Sequence, residues 1–232
     1  MAGIAWVNGR LLAPGEPAIA AADRGFLYGE GLFETMRAYR GRIFRLGRHL
    51  DRLIAAAPEL GFVPPRRELL ERATAEALAA SGMSEAAVRL TVTPGPVQAA
   101  SPTVVVLVRD LALPPAECYQ AGCRAVTVPA AQAAGTPLRR TKSLNYLDKL
   151  LAQRGAARAG AHEAIIIDPD GCVVEGGMRN VFAVIAGGLV TPPLSRGLLP
   201  GVTREAILEI AEGMGLGSQQ RELPVSELRG AD

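Results

Sequence analysis

Residues 22–37 read ADRGFLYGEGLFETMR, and this stretch sets the fold class expected for the first half of the chain. Its residues 28–34 contain a Gly-x-Gly pattern, Gly29 and Gly31, but Glu34 stands where the Gly-x-Gly-x-x-Gly fingerprint has its third glycine. It also leads into a strand-like segment, whereas a dinucleotide-binding fingerprint opens a helix. The stretch therefore predicts a strand over residues 32–39, returned by an arm at 42–45 through a turn at Gly41.

Outward from this strand, the first half predicts a small α+β unit. A helix over residues 46–60 has its apolar positions on one face, and a second helix over 68–81 is closed by Gly82. The expected strands are a hairpin at residues 3–7 and 10–12, turned at Asn8-Gly9, and two apolar runs at 87–93 and 103–109.

The second half predicts a unit rich in short strands. A strand near residues 124–129 and a polar loop over 130–140 precede a helix over 144–159. We expect that helix to bury Leu144, Leu147, Leu150 and Leu151. The remaining elements are predicted strands at 163–167, 171–175, 180–185 and 188–191, and a helix at 204–212.

These elements predict an α+β protein of two domains. A small N-terminal α/β domain is expected over residues 1–110, a linker rich in proline over 111–117, and a larger C-terminal domain, rich in strands, over 118–232.

The composition excludes several classes of function. A net charge of +2 over 232 residues is too balanced to indicate a nucleic-acid or anionic-membrane partner. We expect no membrane span and no signal peptide. Three dispersed cysteines predict no disulfide framework, and two histidines predict no metal centre. A reducing, cytoplasmic location is the expectation.

Four local patterns carry possible chemistry, and each has a plainer interpretation. Lys142, in Thr141–Tyr146, is either an activated amine or a solvated basic turn. Glu175, before two glycines, is either a carboxylate facing a flat ligand or a polar turn residue. Thr203 is either part of a phosphate site at a helix N-terminus or an ordinary N-cap. Arg52 is either a phosphate ligand or a surface partner of Asp51 or Glu59.

Together, these patterns resemble the class IV aminotransferases, the fold-type-IV enzymes that use pyridoxal 5'-phosphate (PLP). The resemblance covers essentially the whole chain and keeps the family's order and spacing. It rests on residues 22–37, 49–53, 141–146, 174–176, 180–182, 191–193 and 199–204. The family includes branched-chain aminotransferases, D-amino-acid aminotransferases and 4-amino-4-deoxychorismate lyases.

The resemblance implies a role for each matched residue. Lys142 would be the Schiff-base lysine and would move the proton between Cα and the cofactor. The cofactor's other ligands would be Arg52, Val202 and Thr203 at the phosphate, Glu175 at the pyridine nitrogen and Tyr146 near the phenolic oxygen. The substrate pocket would use Tyr28, Phe33, Arg37 and Arg89. Since the family builds part of this pocket from a neighbouring subunit, a homodimer with a shared active site is implied.

The pocket residues bear on the subfamily. Pro94 stands where D-amino-acid aminotransferases place a carboxylate-binding arginine, which argues against D-specificity. Arg89 matches the arginine that branched-chain enzymes use for the side-chain carboxylate of glutamate. Ala87 replaces a tyrosine of those enzymes and would leave a more open pocket. Residues 23–29 resemble the lyases equally well.

The function expected from the resemblance is amino transfer between an L-amino acid, branched-chain or glutamate-like, and a 2-oxo acid. The alternative is a lyase that releases pyruvate and 4-aminobenzoate from aminodeoxychorismate. Family members usually continue past residues 228–232 into a strand, a turn and a helix. A third expectation is therefore a protein that binds PLP but has impaired catalysis.

Overall fold

A computed structural model of the protein describes residues 3–16, 18–97, 101–133 and 135–232. Residues 1, 2, 17 and 98–100 of the predicted N-terminal domain, and residue 134 of the predicted polar loop, lie outside the described residues. The chain divides into two compact units. The first is Met1–Leu113 with Thr141–Asn145, and the second is Pro114–Arg140 with Tyr146–Asp232.

The first unit is built on one antiparallel sheet. Its elements are β1 (Gly3–Val7), β2 (Arg10–Leu12), α1 (Arg24–Tyr28), β3 (Leu32–Tyr39), β4 (Arg42–Ile43), α2 (Leu46–Ala56), α3 (Arg67–Ser81), β5 (Ala86–Thr93) and β6 (Thr103–Arg109). The strand order is β2-β1-β6-β5-β3-β4. Helices α2 and α3 supply the other half of a shared apolar core with this sheet.

Strand alternation gives the sheet two different faces. On β5 and β6, Val88, Leu90 and Val106 are fully buried in the core with the helices. Each such side chain stabilises the fold by roughly 1.5–3 kcal/mol. The intervening residues, including Phe33 and Arg89, belong to the opposite face because successive side chains alternate. That second face carries the candidate substrate residues of β3 and β5.

The second unit contains two small sheets. Its elements are α4 (Ala116–Gln120), β7 (Ala125–Pro129), α5 (Pro137–Arg140), α6 (Leu147–Arg158), β8 (Glu163–Ile167), β9 (Val173–Gly176), β10 (Ala183–Ile185), β11 (Gly188–Thr191), α7 (Val202–Gly213), β12 (Ser218–Gln220) and α8 (Val225–Arg229). One sheet has the order β7-β8-β9 and the other β10-β11-β12. The mixed α+β class predicted from the sequence is confirmed.

The limits of α2 and α7 differ from the predicted ones by more than one residue. Helix α2 ends at Ala56, and a separate 3₁₀ turn follows at Pro58–Leu60. Pro58 has no N–H to continue the hydrogen-bond ladder, which explains the break. Helix α7 begins at Val202, two residues before the predicted start. The prediction also missed α1, α5 and α8, which are only four or five residues long.

The helix predicted over residues 144–159 is the clearest error. It begins at Leu147, because Leu144 is instead held in the first unit by a hydrogen bond to Gly31. Leu147 and Leu151, expected to be buried, are 61% and 54% exposed. The helix packs instead through small residues, with Ala156 beside Ala164 of β8.

The predicted domain limits stay a prediction. By contact, the first unit ends within the expected linker, but it also includes Thr141–Asn145, which the prediction placed in the C-terminal domain.

Candidate active site

A buried aspartate fixes the turn that carries Tyr28. Asp23 is fully buried and caps α1 by accepting a hydrogen bond from the N–H of Gly25 at 2.8 Å. The hydroxyls of Thr93 and Thr103 donate to its other oxygen at 3.0 Å and 2.6 Å. One carboxylate therefore ties α1 to the ends of β5 and β6. Tyr28, at the end of α1, is 65% exposed.

The segment Thr141–Asn145 is attached to the start of β3 by backbone hydrogen bonds. The N–H of Phe33 donates to the carbonyl of Lys142 at 2.9 Å, and the N–H of Leu144 donates to Gly31 at 2.9 Å. A side chain at Gly31 would collide with the carbonyl of Val92, so glycine is required for this approach. Lys142 therefore lies on backbone that is hydrogen-bonded to the start of a strand, which argues against a simple solvated turn.

Lys142 and Arg89 both contact the ring of Phe33. The guanidinium carbon of Arg89 lies 3.7 Å from the ring centroid, and Lys142 Nζ lies 4.8 Å from it. Both distances fall within the range of a cation–π interaction. Three of the predicted residues are thus brought together in the first unit, with two cations on one aromatic ring.

Arg37 makes other contacts in the same unit. Its guanidinium lies 4.1 Å from the ring centroid of Tyr39 and 3.3 Å from a carboxylate oxygen of Glu85. Its Nε is buried without a hydrogen-bond partner in the described part of the chain. Its substrate role stays a prediction.

Arg52 binds a buried carboxylate on the core side of the sheet. Its Nε and Nη2 donate to the two oxygens of Glu34 at 2.8 Å and 2.5 Å. His49 Nδ1 lies 2.7 Å from the same carboxylate, which is fully buried. The surface pairing of Arg52 with Asp51 or Glu59 is therefore wrong as an alternative. Asp51 pairs instead with Arg67.

These contacts determine the ionisation of Glu34. Burial by itself raises the pKa of this carboxyl, because it disfavours the charged form. Hydrogen bonds from His49 and Arg52, together with their charges, outweigh burial and hold the pKa of Glu34 below its usual 4.5. Glu34 is thus a carboxylate that fixes the direction of the Arg52 guanidinium.

Glu175 is held in the second unit by a lysine that the sequence reasoning missed. Lys149 Nζ donates to Glu175 Oε1 at 2.7 Å, and the N–H of Leu199 lies 3.4 Å from Oε2. Glu175 is 4% exposed. Lys149 Nζ also lies 5.6 Å from the ring centroid of Tyr146, the residue at the N-cap of α6. A cavity of about 400 Å³ is lined by Glu175, Lys149, Asp148 and Arg139 among others.

Arg139 is a buried cation of the second unit. Its guanidinium donates to Asp168 at 2.7 Å, and both side chains are buried. Its charge is therefore compensated within the second unit.

The N-terminus of α7 lacks a side-chain cap within the described residues. Its N-cap is Gly201, so the interpretation of Thr203 as an ordinary N-cap is wrong. A side chain at Gly201 would collide with Asn180, whose amide donates to the carbonyl of Leu199 at 3.0 Å. The first turn therefore presents the backbone N–H groups of Val202 and Thr203. Such groups, with the helix dipole, favour an anion.

Some of the residues described above could not be identified from the sequence alone. For Glu34 the sequence does carry an indication. Strand alternation puts it on the same face as the apolar Leu32 and Met36, and a buried carboxylate there needs hydrogen-bond partners. Lys149 and the threonine pair on Asp23 had none, because these partners are 26, 70 and 80 positions apart in sequence.

Comparison with known proteins places the chain in a family. The sequence profile of the family described as Amino-transferase class IV matches residues 31–232. The chain belongs to the class IV aminotransferases.

Individual relatives agree with this assignment. The chain is 34% identical to a candidate branched-chain-amino-acid aminotransferase of Methanocaldococcus jannaschii, over 98% of this chain and 81% of the relative. It is 32% identical to an aminodeoxychorismate lyase of Bacillus subtilis, over 98% of this chain and 80% of the relative. The crystal structure of a branched-chain aminotransferase of Thermoproteus uzoniensis with norvaline superimposes with a TM-score of 0.87 at 30% identity, covering 99% of this chain and 81% of the other.

The class IV aminotransferase family uses PLP, and amino acids and 2-oxo acids are its substrates. The donor set of this chain fits that cofactor. A buried carboxylate suits a protonated ring nitrogen, uncapped helix N–H groups suit a phosphate, and a lysine supplies a primary amine. Within the described residues no group of three or more acidic, histidine or cysteine side chains is arranged to hold a metal. No helix in that part of the chain is long and apolar enough to cross a membrane.

Proposed function

We propose that this class IV aminotransferase moves an amino group between an L-amino acid, branched-chain or glutamate-like, and a 2-oxo acid. The observation that supports it most strongly is the placement of Arg89 and Lys142 on the ring of Phe33. An amine for the reacting end and a guanidinium for a second carboxylate then occupy one face of the sheet. Guanidinium groups bind carboxylates well, because two parallel N–H donors match the two oxygens.

Each matched residue has a proposed task. Lys142 Nζ anchors the cofactor and moves the substrate Cα proton, a role that requires its neutral amine. Glu175 accepts a hydrogen bond from the pyridine nitrogen, and Tyr146 lies near the phenolic oxygen. Arg52 binds the phosphate with the backbone N–H groups of Val202 and Thr203. When bound, PLP supplies an electron-withdrawing ring that stabilises negative charge at Cα.

The proposed substrate pocket uses residues on or near the face of the first unit's sheet that carries Phe33 and Arg89. Arg89 binds the side-chain carboxylate of glutamate, while Phe33 supplies an apolar surface for a branched side chain. Tyr28 and Arg37 complete the pocket in this proposal. Because Pro94 offers no cation for a carboxylate, we propose the L-enantiomer as substrate.

A half-reaction screen tests this function. Purified protein loaded with PLP is mixed separately with the L- and D-forms of glutamate, leucine and alanine, and its visible absorption is followed. We expect L-glutamate or L-leucine to convert the spectrum to that of the aminated cofactor, and D-alanine to leave it unchanged. Conversion by D-amino acids alone contradicts the assignment. PLP binding without any conversion supports impaired catalysis instead.

The second candidate is an aminodeoxychorismate lyase. It is favoured by the 32% identity to the Bacillus subtilis lyase. The same lysine would act, but no 2-oxo acid would be needed. Release of pyruvate and 4-aminobenzoate from aminodeoxychorismate, together with an unchanged spectrum in the amino-acid screen, supports the lyase over the aminotransferase.

We also propose a cytoplasmic homodimer. Helix α1 exposes large apolar side chains in the single chain, with Phe26 at 73% and Leu27 at 48% exposure. A second copy covering this helix would remove that surface from water. Size-exclusion chromatography with light scattering checks this. We expect a mass near twice 24.3 kDa, and the mass of a single chain contradicts the dimer.

A further inference from the structure

Lysine is rare in this chain, and neither of its two lysines is at an ordinary surface position. The sequence contains 25 basic residues, of which Lys142 and Lys149 are the lysines and the rest are arginines. Lys142 already has a proposed task. Lys149 lies in the first turn of α6 with its side chain only 15% exposed. A side chain this long normally reaches water, so its burial requires an explanation.

The explanation is the carboxylate of Glu175. The side chain of Glu175 is 5% exposed, and Lys149 Nζ lies 2.7 Å from Oε1. A buried carboxylate without a cation strongly favours its protonated form. The other charged residues that line the same cavity do not replace this lysine. Asp148 is itself an acid, and Arg139 is paired with Asp168.

The two oxygens of Glu175 are in different situations. Oε1 takes the short ion pair, whereas within the described residues Oε2 has only the 3.4 Å approach of the Leu199 N–H. A carboxylate oxygen has two acceptor sites, so Oε2 keeps capacity for a further donor. The N–H of a protonated pyridine ring is such a donor.

We propose that Lys149 is a positioning residue that acts through Glu175. It supplies the opposite charge beside the buried carboxylate, fixes its orientation through Oε1 and leaves Oε2 to accept a hydrogen bond from the cofactor's protonated ring nitrogen. Lys149 touches neither substrate nor the reacting atoms in this role. The inference rests on the proposed function for its catalytic consequence, but the ion pair itself is measurable in protein without cofactor.

The first experiment measures melting temperature from pH 5 to pH 8 on cofactor-free protein. The variants are Lys149→Met, Glu175→Gln and the double variant, with Arg154→Met as a control of equal charge change on the exposed side of α6. At pH 8, Lys149→Met should melt about 5–10 °C lower than wild type, because one partner of a buried pair is removed. The deficit should shrink toward pH 5, since the folded variant then binds a proton at Glu175.

The double variant distinguishes the charge interaction with Glu175 from a contribution of the Lys149 side chain to packing. In the Glu175→Gln background, replacing Lys149 should lower the melting temperature by less than about 2 °C and without pH dependence. Arg154→Met should resemble wild type. An equal deficit at pH 5 and pH 8, or the same deficit in the Glu175→Gln background, overturns the proposal. If Lys149→Met does not fold, the double variant must still fold; failure of both also overturns it.

The second experiment measures the half-reaction with L-glutamate in protein loaded with PLP. Lys149→Met should lower its rate at least about 10-fold at pH 7, with a smaller loss at pH 8.5, and Lys149→Arg should recover part of it. A loss that does not change with pH contradicts the mechanism. If wild type itself shows no half-reaction, the proposed function fails, whereas the melting experiment still decides the role of Lys149.

Discussion

The two units each bury a glutamate, and the two carboxylates are satisfied to different degrees. Glu34 receives three close contacts from Arg52 and His49 and lies under the sheet of the first unit. Glu175 has one short partner in the described part of the chain, Lys149, and borders a cavity in the second unit. A saturated carboxylate can orient its neighbours, whereas one with spare acceptor capacity can also bind a ligand. The difference suits Glu34 to a supporting role and Glu175 to the ligand-binding role proposed for it.

Removing the Glu34 charge should have the largest effect on stability. Glu34→Gln leaves Arg52 and His49 buried beside a neutral amide, and losing one partner of a buried ion pair costs about 3–5 kcal/mol. Denaturant unfolding measures this loss. The isosteric Glu85→Gln is the matched control, because Glu85 is a half-exposed partner of Arg37. Equal stability of the Glu34 and Glu85 variants contradicts the account.

Lowering the pH should remove part of the same stabilisation from the wild-type protein. Because the pKa of Glu34 is held below its usual 4.5 in the folded chain, the folded state binds fewer protons at this site than the unfolded state. Its stabilisation is therefore present above about pH 4.5 and is lost as the pH falls through the folded value. We expect the stability difference between wild type and Glu34→Gln to shrink on acidification. A constant difference from pH 3 to pH 7 contradicts this.

Neutralising Glu175 should affect catalysis more than folding. Glu175→Gln leaves Lys149 near the cavity, where its flexible side chain can reach water. The amide no longer stabilises a protonated ring nitrogen, so the half-reaction rate should fall about 10²-fold or more. Stopped-flow absorption measures the rate, and circular dichroism checks the fold. A variant that keeps its rate but is as strongly destabilised as Glu34→Gln would make Glu175 a structural residue like Glu34.

The difference between these two glutamates was only partly predictable. Apolar alternation predicted β5, β6 and most of α3 well, because burying valine and leucine dominates the energetics there. The same alternation puts Glu34 on the face of the apolar Leu32 and Met36, but its partner Arg52 is 18 positions away in sequence. The Lys149–Glu175 pair spans 26 positions, and no local pattern encodes it. Local patterns also misassigned Leu144, because a long-range hydrogen bond to Gly31 outweighed helix propensity.

Arg89 should give the smallest effect, limited to one class of substrate. Arg89→Met removes a charged hydrogen-bonding group, which should raise KM for L-glutamate about 10-fold to 100-fold. KM for L-leucine should change little, because an apolar side chain makes no use of the guanidinium. Arg109→Met, at the exposed end of β6, serves as the control. Equal changes in KM for both substrates would show that Arg89 does not bind the side-chain carboxylate.

The central claim is that Lys142, and not Lys149, carries the cofactor. Because these are the lysines of the sequence, borohydride reduction of the PLP-loaded protein followed by trypsin and mass spectrometry decides between them directly. A label on Lys142 blocks cleavage there and gives the peptide of residues 141–149, the result we predict. A label on Lys149 would give the peptide of residues 143–154 instead and would contradict the account.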